Sequence, residues 1–264
     1  MPGGTRNFKA LAEPVAPNKE GASQVLIDGG QSLYWIGFGL VLFSSVCASS
    51  VTFAAEPIKV ACVGDSITFG HPGPRDKSYP AVLGTLLGPR YEVRNFGQNA
   101  ATLSRAGNLP YWKFKAFEDA SAYRPEIVII ALGANDSKVE AWMAAAPFAK
   151  DLKDMVAHFR QLPSKPLVLL GIPIPVAPER TKGITAKKVR ERITPLILQV
   201  AREVDAPTID FYTPLAGKFE LLPDTIHPNE QGYRIMAETA AAAIKKCEPA
   251  EEFVPRRRRG RWRH

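Results

Sequence analysis

Apolar runs and stretches with helical periodicity alternate along the chain from residue 58 to residue 246. Five short apolar runs predict β-strands, and they lie at 58–63, 91–96, 126–132, 165–170 and 207–211. Four stretches between and after them predict helices, at 78–87, 148–162, 184–204 (bent at Pro195) and 229–246. Strands that are apolar throughout are typical of a parallel sheet covered on both faces. The pattern therefore predicts the α/β class, with one domain at 57–247: a three-layer αβα sandwich with a mostly parallel five-stranded sheet.

The first 56 residues follow a different pattern. Residues 32–55 contain no charged side chain; an apolar core at 33–43 is followed by a zone rich in small residues. This order is typical of a secretory signal peptide, but residues 33–55 are also long enough to span a bilayer as an uncleaved anchor. We therefore expect an exported protein, periplasmic or extracellular, and both a cleaved signal and a membrane anchor stay open.

The charge of the chain is unevenly distributed. The formal net charge is +8, and six of those charges are the arginines of residues 256–263, so the rest of the chain is near neutral. A tail at 248–264 with this composition predicts disorder. It can bind anionic polymers through charge alone, but nothing in it indicates a specific nucleic-acid partner. The three cysteines exclude a disulfide framework and lack metal-ligand spacing.

Polar residues follow the predicted strands at the points where the strands end. They lie at 64–66 after the first strand, at 95–97 in the second, at 133–136 after the third, and at 224–227 before the last helix. Alone, each of these segments is typical of a turn or a helix cap. The carboxyl ends of parallel strands meet at one edge of a sheet, where α/β folds place their chemistry, so we expect these side chains to converge.

The residue types at this edge fit nucleophilic catalysis. Ser66 can attack a carbonyl carbon if His227 removes its proton, and Asp224 can hold the imidazole in the required tautomer. The oxyanion that forms needs donors already in place. The expected donors are the main-chain N–H groups of Ser66 and Gly97 and the side-chain amide of Asn135.

These segments resemble the four sequence blocks of the SGNH (GDSL-type) esterase family. Residues 64–67 resemble the serine block, with Ile67 where leucine is usual, and residues 95–97 resemble the glycine block. Residues 133–136 resemble the asparagine block, with Ala134 where threonine is commoner, and residues 224–229 resemble the Asp/His block. The resemblance covers about residues 57–247. It implies a flavodoxin-like αβα fold and hydrolysis of acyl esters with no metal or organic cofactor.

The chain also resembles exported bacterial members that remove acetyl groups from carbohydrates. That resemblance implies a short acyl group, in particular acetyl, on a carbohydrate or other small molecule. Asp65, His71, Trp112 and Trp142 are candidate substrate contacts, although the tryptophans could instead cover the sheet edge and His71 could lie in a surface loop. The sequence predicts no oligomeric state.

Three other functions stay open at this point. A lysophospholipase or thioesterase would use the same catalytic residues on longer acyl chains. A catalytically silent carbohydrate-binding member would keep the fold without turnover. A metal-dependent phosphoesterase would use Asp65, Asp136, Asp224 and His227, but these acids come singly and only one histidine is well placed among them.

Overall fold

A computed structural model describes residues 56–138, 145–177 and 183–248, which belong to one compact unit. The predicted signal or anchor segment, Trp142 and the arginine-rich tail lie outside the described residues. Within the described ranges, none of the helices combines the length and apolar character that a membrane span requires.

Five parallel strands form the sheet: β1 (Ile58–Gly64), β2 (Tyr91–Gly97), β3 (Ile127–Ala131), β4 (Leu167–Ile172) and β5 (Thr208–Asp210). Their order is β2-β1-β3-β4-β5. The first strand, β1, is therefore internal, with β2 on one side of it and β3, β4 and β5 in turn on the other. The predicted parallel five-stranded sheet is confirmed, and each predicted strand begins or ends within two residues of the observed one.

Helices connect successive strands, and a further helix follows β5. They are α1 (Ser66–Phe69), α2 (Tyr79–Leu87), α3 (Lys115–Ala122), α4 (Ala145–Arg160), α5 (Ala186–Lys188), α6 (Thr194–Glu203) and α7 (Glu230–Cys247). A π-helical turn at Val189–Ile193 joins α5 to α6. Within the described residues, short 3-10 turns lie at Arg75–Lys77, Tyr111–Lys113, Asn135–Lys138, Thr213–Leu215 and Phe219–Leu221.

Successive side chains of β1 point to opposite faces of the sheet, and each face has its own part of the core. Ala61 and Val63 pack with residues of α3, α4 and α6, whereas Val60 and Cys62 pack with residues of α2 and α7. All four are fully buried, as expected for a strand covered on both sides. The structure therefore has the three layers that the apolar pattern predicts.

Two helical details differ from the prediction. The helix expected at 184–204 contains the π-helical turn just before Pro195, because proline lacks an N–H and its ring crowds the carbonyl four residues earlier. Helix α3, which is eight residues long and has Ala120 as its one buried residue, was not among the predicted helices.

Candidate active site

Ser66 begins the short helix α1 just after β1, an internal strand of the sheet. A Cβ at Gly64 would lie 1.9 Å from Thr68 Oγ1 and 2.8 Å from the Ala131 carbonyl oxygen, so the strand can turn this closely only at glycine. Asp65 caps the helix, and its Oδ1 accepts a hydrogen bond from the Ile67 N–H at 3.0 Å. The turn holds Ser66 at the carboxyl edge of the sheet.

A chain of hydrogen bonds joins Ser66, His227 and Asp224. Ser66 Oγ is 2.8 Å from His227 Nε2, and His227 Nδ1 is 2.7 Å from Asp224 Oδ2. Asp224 Oδ1 also accepts hydrogen bonds from the His227 N–H at 2.7 Å and the Ile226 N–H at 3.2 Å. Burial opposes the ionisation of Asp224, but these hydrogen bonds outweigh it and lower the pKa of the carboxyl well below its ordinary value. The structure thus brings the three residues together as the sequence predicts.

Gly97 is not placed as an oxyanion donor. Its N–H donates to Asn95 Oδ1 at 2.9 Å, and Gly97 is not among the residues that line the cavity beside Ser66. A Cβ at this position would lie 2.2 Å from the Phe69 nitrogen. Glycine is therefore required here because β2 packs against the backbone of α1, and the expected role of Gly97 as a donor is not supported.

Ala100, which the sequence did not single out, lines that cavity instead. It lies in a turn in which the Ala101 N–H donates to the Gln98 carbonyl at 3.2 Å, and its φ is +60°. A positive φ favours glycine, asparagine or aspartate, so alanine gives no sequence signal for this conformation. The turn places Ala100 in the wall of the cavity that Ser66 also lines, and the residue types alone do not predict this.

Asn135 is buried beside Ser66 and is held at two points. Its Nδ2 donates to Asp65 Oδ2 at 3.3 Å and to the Ala101 carbonyl at 3.2 Å. Asp65 itself is buried and does not line the cavity beside Ser66, so its expected role as a substrate contact is not supported. Burial raises the pKa of Asp65 to about 6, although a hydrogen bond from the Ile67 N–H and the charge of Lys138 act in the opposite direction.

Asp136 holds the segment that follows the Ala100 turn. Its carboxylate accepts hydrogen bonds from the Leu103 N–H at 2.9 Å and the Ser104 N–H at 2.8 Å. Burial raises the pKa of Asp136 to about 7 against the effect of these bonds, and the nearby charge of Asp65 raises it further. The Asp136 carboxylate therefore binds main-chain groups of the protein itself.

The described residues contain one group of side chains with possible metal-ligand spacing: His71, Asp224 and His227, whose ligand atoms lie within 4.8 Å of one another. Asp65 and Asp136 are not members of it. The set expected for a phosphoesterase is thus divided, because only Asp224 and His227 of that set belong to this group.

His71 lies at the site, but Trp112 does not. The His71 ring meets His227 edge to face with centroids 4.7 Å apart, and His71 lines the cavity. Trp112 Nε1 donates to the Leu103 carbonyl at 2.8 Å, and the Arg105 guanidinium lies 3.7 Å from the centre of the Trp112 ring. Trp112 therefore packs inside the loop region rather than facing a substrate.

Ser66 opens into a cavity of about 220 Å³. The residues that line it come from the loops at the carboxyl ends of the strands; they are Ser66, His71, Asn99, Ala100, Asn135, Lys138, Ile184, Ile226 and His227. A nucleophile, a base and an amide donor thus share one cavity wall.

A serine, a histidine and an aspartate in hydrogen-bond contact at the edge of a parallel α/β sandwich are the arrangement that defines a class of serine hydrolases. The comparison with protein families is consistent with that class: the model of the GDSL-like lipase/acylhydrolase family matches residues 62–235. The chain belongs to this family.

Individual relatives share the fold and part of the sequence. The chain is 37% identical over 210 residues to an acetylxylan esterase from Xylanibacter ruminicola, an alignment that covers 72% of this chain and 44% of that protein. The chain thus spans less than half the length of that relative. A carbohydrate acetylesterase structure from Sinorhizobium meliloti matches with a TM-score of 0.60 at 19% identity, covering 72% of this chain and 99% of the other. A G-D-S-L lipolytic-family structure from Veillonella parvula matches with a TM-score of 0.57 at 20% identity, again covering 72% and 99%.

Proposed function

We propose that this protein hydrolyses short acyl esters of carbohydrates, acetyl esters in particular, with Ser66 as the nucleophile. The observation that carries the proposal is the Asp224–His227–Ser66 hydrogen-bonded sequence, at 2.7 and 2.8 Å, on the wall of a cavity. The acetylxylan esterase and carbohydrate acetylesterase relatives support the choice of substrate class.

The reaction proceeds in two halves. Ser66 Oγ attacks the ester carbonyl carbon while its proton moves to His227 Nε2, and the imidazolium then returns that proton to the departing sugar oxygen. A water molecule, deprotonated by His227, then attacks the acyl-serine and releases the carboxylic acid and free Ser66. Asp224 stays ionised throughout because its pKa is low, so it holds the Nδ1 proton and stabilises the imidazolium.

Three donors stabilise the oxyanion in this mechanism: the N–H groups of Ser66 and Ala100 and the amide of Asn135. The Ser66 N–H is the first of its helix and has no acceptor within the helix. The two hydrogen bonds of Asn135 Nδ2, at 3.2 and 3.3 Å, are longer than the usual distance of about 2.9–3.0 Å. The amide can therefore exchange one of them for the developing negative charge.

The size of the cavity favours a short acyl group. Its volume of about 220 Å³ is below the roughly 300–1,000 Å³ of sites that enclose drug-sized ligands. Polar and charged side chains from His71, Asn99 and Lys138 also line it. These features suit an acetyl group with part of a sugar ring better than the long chain of a lysophospholipid or fatty acyl thioester.

The test is an acyl-length series of p-nitrophenyl esters from acetate to palmitate on the full chain, with acetylated xylan as the polymer substrate. We expect acetate to be fastest, EDTA to have no effect, and Ser66→Ala to lose at least about a thousandfold in kcat. Ser121→Ala is a matched control, because Ser121 Oγ also lies 2.8 Å from a histidine, Nε2 of His158. A preference for long chains would favour the lipid enzymes, loss of activity with EDTA would favour a metal mechanism, and absence of Ser66-dependent turnover would leave a silent binding protein.

A further inference from the structure

Cationic side chains line both cavities at the catalytic edge of the sheet. Lys138 lines the cavity beside Ser66, and Lys187 and Arg190 line a second cavity of about 290 Å³. The second cavity lies at the same edge, because its walls include the residues just after the carboxyl ends of β4 and β5. No carboxylate is among the described residues that line either cavity. The charged side chains of Lys138, Lys187 and Arg190 among these described residues are therefore cationic.

One small apolar cluster connects the two cavities. Ile184 and Ile226 line the cavity beside Ser66, and Val176 and Val189 line the second cavity, yet all four pack together as one buried cluster. Side chains of one buried cluster thus contribute to the walls of both cavities. A chain of sugar units lying across this edge can contact both.

The second cavity has the side chains that bind sugars. Tyr212 and Phe219 supply aromatic faces, and Phe219 is an exposed large apolar side chain. Arg190 forms an ion pair with Glu191 at 3.0 Å, but both partners are largely exposed, so the pair is weak and a substrate carboxylate can compete for the guanidinium. Arginine binds carboxylates through two parallel hydrogen bonds, which makes it suited to this competition.

Lys138 lines the same cavity as Ser66 because of the turn that carries it. Lys138 ends the 3-10 turn that begins at Asn135, and its charge helps to lower the pKa of Asp65. Its Cγ would lie 3.7 Å from a Cβ placed on Gly183, and the residue lines the cavity beside Ser66. A carboxylate on the acylated sugar would reach this ammonium group.

We propose that the natural substrate is an anionic carbohydrate, an acylated oligosaccharide that bears uronic acid units. This inference rests on the proposed esterase function and specifies its substrate class. The acyl group reacts at Ser66, a carboxylate of the same or a neighbouring sugar binds Lys138, and a further acidic unit binds Lys187 and Arg190 between the aromatic side chains.

The test compares two acetylated xylo-oligosaccharides that differ only in a glucuronic acid branch. We expect the wild-type full chain to have a higher kcat/KM on the acidic oligosaccharide, and this preference should decline as salt is added. Lys138→Met and Arg190→Met should each lower the acidic-to-neutral ratio of kcat/KM about tenfold or more, mainly through KM, and Lys138→Arg should restore much of it. Arg192→Met is the matched control, because Arg192 is an exposed cation on the same helical turn that lines neither cavity.

The outcomes separate this inference from the esterase proposal. Ser66-dependent hydrolysis of p-nitrophenyl acetate with equal rates on the two oligosaccharides overturns the anionic substrate alone. A Lys138→Met variant that loses rate equally on every ester also overturns it, because the lysine would then act through Asp65. Absence of Ser66-dependent hydrolysis of any ester overturns the esterase proposal itself.

Discussion

Asp65 connects the nucleophile turn to the oxyanion amide, and its replacement tests both connections. Its Oδ1 accepts from the Ile67 N–H at 3.0 Å and its Oδ2 accepts from Asn135 Nδ2 at 3.3 Å, while the residue is only 2% exposed. Asp65→Asn preserves the shape and the first acceptor. It also places an NH₂ group opposite the NH₂ of Asn135, so the second hydrogen bond is lost.

The pH dependence of the effect follows from the buried charge. Burial raises the pKa of Asp65 from 3.8 to about 6, which corresponds to about 3 kcal/mol at 1.36 kcal/mol for each pKa unit. Below pH ~4 the carboxyl is protonated in the folded and unfolded states and this cost is absent. As pH rises from about 4 to about 6 the unfolded state ionises first, so folded wild type loses stability, and above pH ~6 the full cost is present.

Asparagine never ionises, so the variant avoids this cost but lacks one hydrogen bond worth about 1 kcal/mol. We expect Asp65→Asn to be less stable than wild type by about 1 kcal/mol at pH ~4 and more stable by about 2 kcal/mol at pH ~7.5. Urea unfolding of the full chain at the two pH values measures this difference, with the exposed Asp76→Asn as the control.

Activity gives a second readout for the same variant. Asn135 without its acceptor is poorly held for the transition state, so kcat on p-nitrophenyl acetate should fall about 10- to 100-fold at pH ~7.5 with little change in KM. A stability difference that is equal at both pH values would refute the burial argument. Full kcat in the variant would refute the positioning of Asn135 by Asp65.

Two further substitutions test the remaining parts of the site. Asp224→Asn should lower kcat by at least about a thousandfold, because His227 loses the acceptor that fixes its tautomer. Because the pKa of Asp224 is lowered, its stabilising effect is present above pH ~4 and declines as pH falls, so unfolding curves of the variant and wild type should converge in acid. Gly97→Ala should destabilise the fold by about 3 kcal/mol or more, since its Cβ would lie 2.2 Å from the Phe69 nitrogen. Ala100→Gly should stay folded and active in urea-unfolding and p-nitrophenyl acetate assays, because glycine keeps the main-chain N–H and adopts a positive φ readily. A Gly97→Ala variant as stable as wild type would refute the packing argument for Gly97.

The sheet and the catalytic residues could be predicted because both depend on local signals and a simple rule of topology. Apolar runs located all five strands, and parallel strands necessarily bring their carboxyl ends together. The register confirms this convergence, since Gly64 pairs with Gly97 on one side and with Ala131 on the other. Because Ser66 follows one of these ends, a histidine from another loop at the same edge can reach it.

The parts that sequence reasoning missed depend on backbone angles and on contacts between distant residues. A glycine in a loop can serve a close approach or a donor role, and only the distance to Phe69 shows which applies to Gly97. The φ of Ala100 leaves no trace in its residue type. The residue type of Trp112 fits sugar binding, but in the structure the guanidinium of Arg105 lies 3.7 Å from the centre of its ring. Asp151 and Asp154 hold that guanidinium through ion pairs.

The acids next to the catalytic residues have a common structural cause. Asp65 and Asp224 each use a carboxylate to accept main-chain N–H groups in the loops that carry Ser66 and His227. Asp136, which follows Asn135, accepts the N–H groups of Leu103 and Ser104 in the loop after Ala100. A short carboxylate is suited to this because it satisfies turn N–H groups that no strand or helix reaches. Where the loop is deeply buried, the same choice raises the pKa, to about 6 for Asp65 and about 7 for Asp136. We therefore expect the stability of the protein to depend on pH through the acids that position the catalytic residues. These acids hold main-chain N–H groups of the loops at this sheet edge, and their burial opposes their ionisation.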